Sequence, residues 1–310
     1  MLETIVVPIK NWQASNTVVR HAAALATVFS ADIVLVGIMP EKSGDEFVDP
    51  VLWNVTLCES QAVLNQHVQY LKTKNISTRV EIMESPSLEQ LFQHIADSNC
   101  DLIVTDICKD KESWLIESLI KHSQVPIYIV HQEDTRTEYN HILVALDGSQ
   151  RAESSLNLAA AFANQLDAQL HLGHVVQQPE IPRKTQMAAE DLEMARHLTE
   201  RYTEEANNYL NQVASRLVSE IKTHINVSEK PLTSLHNLIK EQHIDLLILS
   251  AHGYSGNPEW PLGTVAENLV RYSEIPTLIV QDLPTQIDVA QPEPGRSLHQ
   301  GGTHIDEVVL

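Results

Sequence analysis

Residues 5–38, IVVPIKNWQASNTVVRHAAALATVFSADIVLVGI, lie over residues 142–175, ILVALDGSQRAESSLNLAAAFANQLDAQLHLGHV, at a constant offset of 137, without a gap and with nine of 34 positions identical. Part of that identity is shared alanine, so the recurring order of patterns carries more weight than the count. Each copy reads as an apolar run, an alanine-rich helical stretch and a second apolar run, IVLVGI in one and LHLGHV in the other.

The match resumes near the end of each half. CDLIVTDI (100–107) answers IDLLILSA (244–251) at an offset of 144, and QVPIYIVHQ (124–132) answers EIPTLIVQD (274–282) at an offset of 150. Between those strands the second half is six residues longer, and the extra length falls in LSAHGYSGNPEWPLGTVAEN (249–268), where Gly253, Gly256 and Gly263 crowd together in a chain of only ten glycines. Apolar strands alternating with helical patterns indicate parallel βαβ units. The continuous runs IVV, IVLV, LIV, ILV, LLIL and LIV suit strands covered on both faces.

The fold class expected is therefore α/β: two tandem doubly wound, Rossmann-like domains, each a mostly parallel five-stranded sheet flanked by helices. Leu198, Tyr202, Ala206, Tyr209, Val213, Leu217 and Ile221 recur every three to four residues and predict one amphipathic helix face that packs into the core. Leu57, Leu64, Val68 and Leu71 are its counterpart in the first half. The expected boundaries are 1–135 for the first domain and 139–283 for the second, with the polar stretch EDTRTEYN (133–140) as linker. Residues 284–310, rich in Pro, Gly and polar side chains, are expected to form a disordered tail.

Composition narrows the classes of function. A formal net charge of −20 with no cluster of Lys or Arg argues against a nucleic-acid partner. No apolar segment approaches the roughly 18 residues of a membrane span, and MLETIVVPIK lacks the apolar core of a secretory signal. Cys58, Cys100 and Cys108 form neither an even set nor a C-x-x-C pair, so idle thiols in a reducing compartment are expected. The expectation is a soluble, cytoplasmic protein. A small anion can still bind where backbone N–H groups gather at a helix N-terminus.

Parallel sheets of this kind take ligands beyond the carboxyl ends of their strands. In the second half ILVAL ends at Asp147-Gly148-Ser149. LLIL ends at Leu249 and Ser250, followed by Ala251, His252 and Gly253, and the next helix starts near Gly263-Thr264. Thr264 reads as its N-cap, with Glu267 as a capping-box partner, and Gly263 allows a ligand close to the backbone.

A Walker loop, a G-x-G-x-x-G turn, H-E-x-x-H and G-x-S-x-G are all absent. A triad of Ser255, His252 and Asp147 therefore has no nucleophile elbow to support it, and no catalytic residue or catalytic constellation is assigned. His171 and His174, three apart on one strand, face opposite sides and cannot chelate one zinc ion from that strand. A zinc site assembled across the fold is left open without support.

Ser250-Ala-His-Gly253, nine residues, then Gly263-Thr264 resembles the nucleotide-binding motif G-x2-G-x9-G-[ST] of the universal stress protein (UspA) family. ILVALDGS is similar to that family's first strand, and LHLGHVV to its second. The resemblance spans both halves and implies a tandem universal stress protein. It implies that the second domain binds ATP, or ADP or AMP, with Mg as a companion ion. Asp147 would take the ribose or base side and Val175 the adenine side. Gly253, Gly263, Thr264 and Val265 would cradle phosphates, beside Leu249, Ser250 and His252.

Two positions depart from the pattern: Ser250 stands where the first motif glycine belongs, and Ala145 where proline is common. The first half departs further. Lys10 replaces the aspartate, Asn11 and Trp12 replace Gly-Ser, and CKDKESW (108–114) replaces the whole loop, so that half is expected to bind no nucleotide. The resemblance also implies that the last strand of each half pairs antiparallel with the other, making a pseudo-dimer within the chain, with a homodimer as a further possibility. Nucleotide state would signal to an unidentified protein partner in a stress response. The alternatives are a nucleotide-free interaction scaffold of the same fold and a slow ATPase.

Overall fold

In a computed structural model of the chain, the described residues are 2–10, 12, 15–39, 50–84, 86–107, 114–178, 189–217, 220–253 and 262–281. The expected tail, residues 284–310, lies outside them, as do Cys108, Ser255 and Gly256. The first half runs β1 (Thr4–Ile9), α1 (Ser15–Phe29), β2 (Asp32–Met39), α2 (Pro50–Thr73), β3 (Thr78–Glu84), α3 (Leu88–Asp97), β4 (Leu102–Ile107), α4 (Trp114–His122) and β5 (Ile127–His131). The second half repeats it: β6 (His141–Leu146), α5 (Gln150–Glu153), α6 (Leu156–Leu166), β7 (Gln169–Gln177), α7 (Ala189–Ser215), β8 (Ile221–Ser228), α8 (Pro231–Glu241), β9 (Leu246–Ser250), α9 (Thr264–Tyr272) and β10 (Thr277–Val280).

All ten strands form one sheet in the order β3-β2-β1-β4-β5-β10-β9-β6-β7-β8. Every neighbouring pair is parallel except β5 and β10, which run antiparallel with Leu278 opposite Tyr128. The sheet is mostly parallel and flanked by helices on both faces. Alternation along the strands sorts the core into two clusters. Val7, Leu35, Val144, Leu172 and Ile248 pack with α1, α2, α6 and α7 on one face. Val6, Val34, Leu143, Leu247 and Ile279 pack with α3, α4, α8 and α9 on the other.

Both halves share a device that fixes the central strand pair. Asp101, at the start of β4, accepts the backbone N–H groups of Glu3 and Thr4 at 2.8 and 3.0 Å. Asp245, at the start of β9, accepts those of Asn140 and His141 at 2.7 and 3.0 Å. Charge-assisted bonds of this kind set the register at the closed end of each sheet and leave the carboxyl ends for loops.

The linker expected at 133–140 is pinned rather than loose. Tyr139 is buried, and its hydroxyl lies 2.7 Å from His21 Nδ1, while the other nitrogen of that ring faces the Asp134 carbonyl. Burial lowers the His21 pKa, so the neutral ring accepts from Tyr139 and donates to Asp134. Arg136 pairs with Asp134 and donates to the Glu274 carbonyl in the second half. Phe29 of α1 meets Phe162 of α6 at 4.8 Å between centroids.

The helix face predicted to run to Ile221 is shorter than its periodicity suggests. Helix α7 stops at Ser215, and Ile221 opens β8. Leu217 and Ile221 still pack against the same core, so apolar spacing continued after the helical backbone had ended. Cys100 is buried and Cys58 exposed, both as free thiols. Burial pushes the Cys100 pKa up to about 12, which leaves it inert.

At the closed end of the second half three histidines form a chain across β6, β7 and β8. His141 Nδ1 lies 3.3 Å from His171 Nε2, and His171 Nδ1 lies 2.9 Å from His224 Nε2. The His171 and His224 rings are nearly parallel. Burial, then the neighbouring His224, His141 and Lys222, holds the His171 pKa down at about 4, and burial followed by Lys222 also lowers that of His224.

The unfolded chain therefore takes up protons near pH 6.5 that the folded chain refuses until about pH 4. The contribution to stability is complete above pH 6.5 and is lost as pH falls toward 4, on the order of 2 kcal/mol for His171. Thermal melts between pH 7.5 and 4.5 should show a falling Tm in the native chain and a shallower fall in His171→Gln, which keeps hydrogen-bonding groups and cannot titrate.

Candidate functional site

In each half the strand order reverses beside the first strand, between β1 and β4 and between β6 and β9, which is where a crevice opens past the strand ends. In the second half that crevice is a cavity of about 610 Å³. Asp147, Val175, Leu249, Ser250, His252, Gly253, Gly263, Thr264 and Val265, all nine predicted positions, line it. Its other wall is α7, through Tyr202, Glu205, Ala206 and Tyr209. The stripe assigned to core packing thus also faces the cavity, and Tyr202 is 39% exposed. The tyrosine hydroxyls at that stripe's edge were the signal for this second role.

Asp147 is positioned by the turn after β6. Its Oδ1 accepts the Ser149 N–H at 3.0 Å, and Ser149 N-caps α5 by accepting the Ala152 N–H at 3.1 Å. Gly148 between them holds φ at +86°, a conformation that glycine adopts without strain. The other carboxylate oxygen presses on Gly253, where an added Cβ would overlap Oδ2. Gly253 is glycine because the aspartate needs the space.

Gly263 has a different reason. Its φ of −68° suits any residue, and a Cβ there would meet nothing closer than the Ala251 carbonyl at 3.8 Å. The fold makes no demand for glycine at that position.

Gly263, rather than Thr264, is the N-cap of α9, and no side-chain capping bond forms. The expected capping box is absent because the helix begins one residue earlier than the Thr264–Glu267 spacing requires. Thr264 is its first helical residue, and Glu267 donates its N–H to the Gly263 carbonyl. The N–H groups of Thr264, Val265 and Ala266 come before any intrahelical acceptor and sit at the positive end of the helix dipole. The Gly263 N–H is already given to the Ala251 carbonyl at 2.9 Å.

Ser250, the departure from the glycine pattern, is the last residue of β9 and pairs with Val280. It is absent from the residues with positive φ, so serine meets no backbone obstacle there. It is 92% buried (8% exposed), and its hydroxyl finds no hydrogen-bond partner among the described residues. His174, considered above only for zinc, lines the cavity. Its Nδ1 donates to the Leu146 carbonyl at 2.9 Å, which leaves Nε2 as an acceptor. Burial, aided by the Glu153 carboxylate, raises the Tyr209 phenol pKa, so it stays neutral as a donor.

His171 turns to the histidine chain instead, on the opposite side of β7 from His174. In that chain the contacting nitrogens face one another in pairs rather than a common point, and no group of His, Cys, Asp or Glu among the described residues could hold a metal ion. No described helix is long and apolar enough to cross a membrane.

The first half is built differently at the matching place. Lys10 occupies the position of Asp147 and is exposed. The Trp12 ring lies over Gly37 so closely that a Cβ there would be 2.7 Å from Cη2, with Leu64 Cδ1 at 3.2 Å. Gly37 corresponds to His174 at the offset of 137. Asp106, the counterpart of Ser250, accepts from Gln132 Nε2 at 2.7 Å, and burial raises its pKa. The replacement loop at 108–113 lies outside the described residues.

The universal stress protein family matches residues 138–281. A protein of Staphylococcus aureus (strain USA300), whose name assigns it to the universal stress proteins, is 26% identical over 143 residues, 46% of this chain and 84% of that one. A universal stress protein from Archaeoglobus fulgidus DSM 4304 shares the fold over 90% of this chain and 96% of its own, with TM-score 0.63 and 18% identity. A functionally unknown protein from Pseudomonas aeruginosa PAO1 does so over 90% of this chain and 92% of its own, with TM-score 0.66 and 15% identity. Residues 138–281, the second half of the chain, carry a universal stress protein domain.

Proposed function

We propose that the chain is a tandem universal stress protein whose second domain, residues 139–283, binds ATP or a related adenine nucleotide and signals its nucleotide state to protein partners. The first domain, 1–135, is a structural partner with a degenerate site, and 284–310 is an appended tail. The observation that carries this reading is the cavity where all nine motif positions meet the open N-terminus of α9.

The chemistry of the cavity suits the ligand. Three N–H groups that precede any intrahelical acceptor, together with the helix dipole, favour a phosphate. The glycine at 263, which the fold itself does not require, leaves room for phosphate oxygens against the backbone. Val175 and Leu249 offer apolar surface for a base, and Asp147 offers an acceptor for ribose hydroxyls. A volume of about 610 Å³ falls within the range of small-molecule sites. In this reading the ligand acts by occupancy, and any hydrolysis of ATP is slow.

Small molecules released by denaturing the purified protein should include an adenine nucleotide, and added nucleotide at 100 times its Kd should stabilise the fold by about 2.7 kcal/mol. Neither release nor a melting shift would leave the nucleotide-free scaffold as the better account.

The two glycines should separate. Gly253→Ala displaces Asp147 and should weaken nucleotide binding by roughly tenfold or more, a loss of about 1.4 kcal/mol, while lowering stability as well. Gly263→Ala should cost less than about 1 kcal/mol of stability, the penalty of a poorer N-cap, yet weaken the nucleotide by a similar factor. Calorimetric titration beside denaturant melts reads both quantities.

In the first half, Trp12→Ala should destabilise by roughly 2–3 kcal/mol, since the indole packs on Gly37 and against the core cluster. It should confer no nucleotide binding there, because emptying the space restores neither the aspartate nor the glycines. A second bound nucleotide per chain in that variant would overturn the structural role given to this half.

A further inference from the structure

We infer that His174 reads the base of the bound nucleotide: its Nε2 lone pair accepts a hydrogen bond from the 6-amino group of adenine, so that the cavity prefers a 6-aminopurine. This rests on the proposal that the cavity holds an adenine nucleotide.

The imidazole is fixed before any ligand arrives. Its Nδ1 lies 2.9 Å from the Leu146 carbonyl, which can only accept, so in the neutral ring Nδ1 carries the proton and Nε2 the lone pair. The Tyr209 ring meets the imidazole edge-on, with centroids 6.2 Å apart and planes at 65°, and holds its orientation. His174 lines the cavity, and Nε2 meets no hydrogen-bonding group among the described residues. The cavity thus carries a preset acceptor that the described protein groups do not satisfy.

Strand order places this acceptor at one end of a nucleotide. Across the sheet the tips run β9, β6, β7. Helix α9 starts beside the β9 tip, where the Gly263 N–H reaches the Ala251 carbonyl, Asp147 follows β6, and His174 is on β7. A phosphate at the start of α9 with its ribose over β6 carries its base over β7, about 10 Å away at two strand spacings.

Two helices flank that tip from opposite faces of the sheet, α7 through Leu210 and Val213 and α8 through Leu235 and Leu238. Tyr202 and Ala206 of α7 and Pro231 and Leu235 of α8 line the cavity, so a flat base finds apolar walls on both sides. Its edge then turns toward the tip of β7. The 6-amino group of adenine donates to Nε2, whereas a 6-carbonyl turns its own lone pairs toward that nitrogen. The first half has no such reader: Gly37 stands at the position of His174 at the offset of 137, and the Trp12 ring lies over it.

The experiment is calorimetric titration of the full-length chain at pH 8, in one buffer containing Mg²⁺. The ligands are ATP, purine riboside triphosphate (which lacks only the 6-amino group), ITP and 2′-deoxy-ATP, and the series is repeated with His174→Asn and His174→Phe. Asparagine keeps an N–H for the Leu146 carbonyl and ends short of Nε2, while phenylalanine keeps the ring and loses both nitrogens. The native chain should bind ATP roughly three- to tenfold tighter than purine riboside triphosphate, with ITP no better than the latter. Either variant should weaken ATP by a similar factor and bring it within about twofold of purine riboside triphosphate.

Equal binding of ATP and purine riboside triphosphate by the native chain overturns the inference. So does a variant that weakens all four ligands by one factor and keeps the gap, as a purely structural histidine would. A variant that instead levels ATP with 2′-deoxy-ATP assigns Nε2 to the ribose and overturns it as well. Binding of none of the four by the native chain overturns the nucleotide reading itself and the inference with it. Should one variant fail to fold, the other decides.

Discussion

The antiparallel ladder between Ile127–His131 and Thr277–Val280 is the constraint on which the rest of the architecture depends. Each half on its own would be a five-stranded parallel sheet ending in a short apolar strand whose N–H and C=O groups await a neighbour, an edge that invites association. Joining those edges removes both at once and buries Tyr128 and Leu278 completely at the seam. It also fixes the orientation of the halves. All strands within a half are parallel and the seam is antiparallel, so the carboxyl ends of the two halves point in opposite directions. The crevice of the second half therefore opens at one end of the sheet and its filled counterpart at the other, too far apart to share a ligand. The pinned linker ties the halves in this arrangement: Arg136 reaches Glu274 while Tyr139 is buried against His21.

Much of this was legible in the amino-acid sequence, for a physical reason. Strands buried on both faces must be apolar without interruption, so IVV, IVLV, ILV and LLIL stand out from their surroundings. The offset of 137 holds without a gap because the first strand, helix and second strand form one packed unit in both halves. Positions at strand tips were legible for a similar reason. Asp147, Gly253 and Gly263 sit where secondary structure stops, and side-chain type there follows local geometry rather than distant packing.

What sequence missed depended on distances between segments far apart in the chain. The edge strands β3 and β8 mix exposed and half-buried positions, so they present no clean apolar run. The histidine chain joins residues 141, 171 and 224, which only strand register aligns. The start of α9 differed from expectation by a single residue, because a Thr with Glu three positions on resembles a capping box whether or not the helix begins there. Periodicity failed at Ser215 in a related way: the core faced by α7 is also faced by the chain that leaves it. Ser250 shows the converse, since a residue that breaks a motif breaks no structure when its backbone belongs to a strand.

The asymmetry between the halves then follows from how one location in the fold can be used. Beyond the strand ends a doubly wound sheet leaves a space that protein or ligand must fill. In the first half Trp12 fills it, covering Gly37 beside Leu64, and this packing contributes to folding at all times. In the second half Ala145, Gly148 and Ala152 line the same region. Small residues there forgo packing contacts, the Ser250 hydroxyl has no partner among the described residues, and the first three N–H groups of α9 precede any intrahelical acceptor. Each unsatisfied group costs stability in the empty state, and proteins retain such costs chiefly at functional sites. Because the seam makes the halves one sheet, the better-packed half can carry the less-packed one, and a ligand entering the second half adds its binding free energy to a scaffold already assembled.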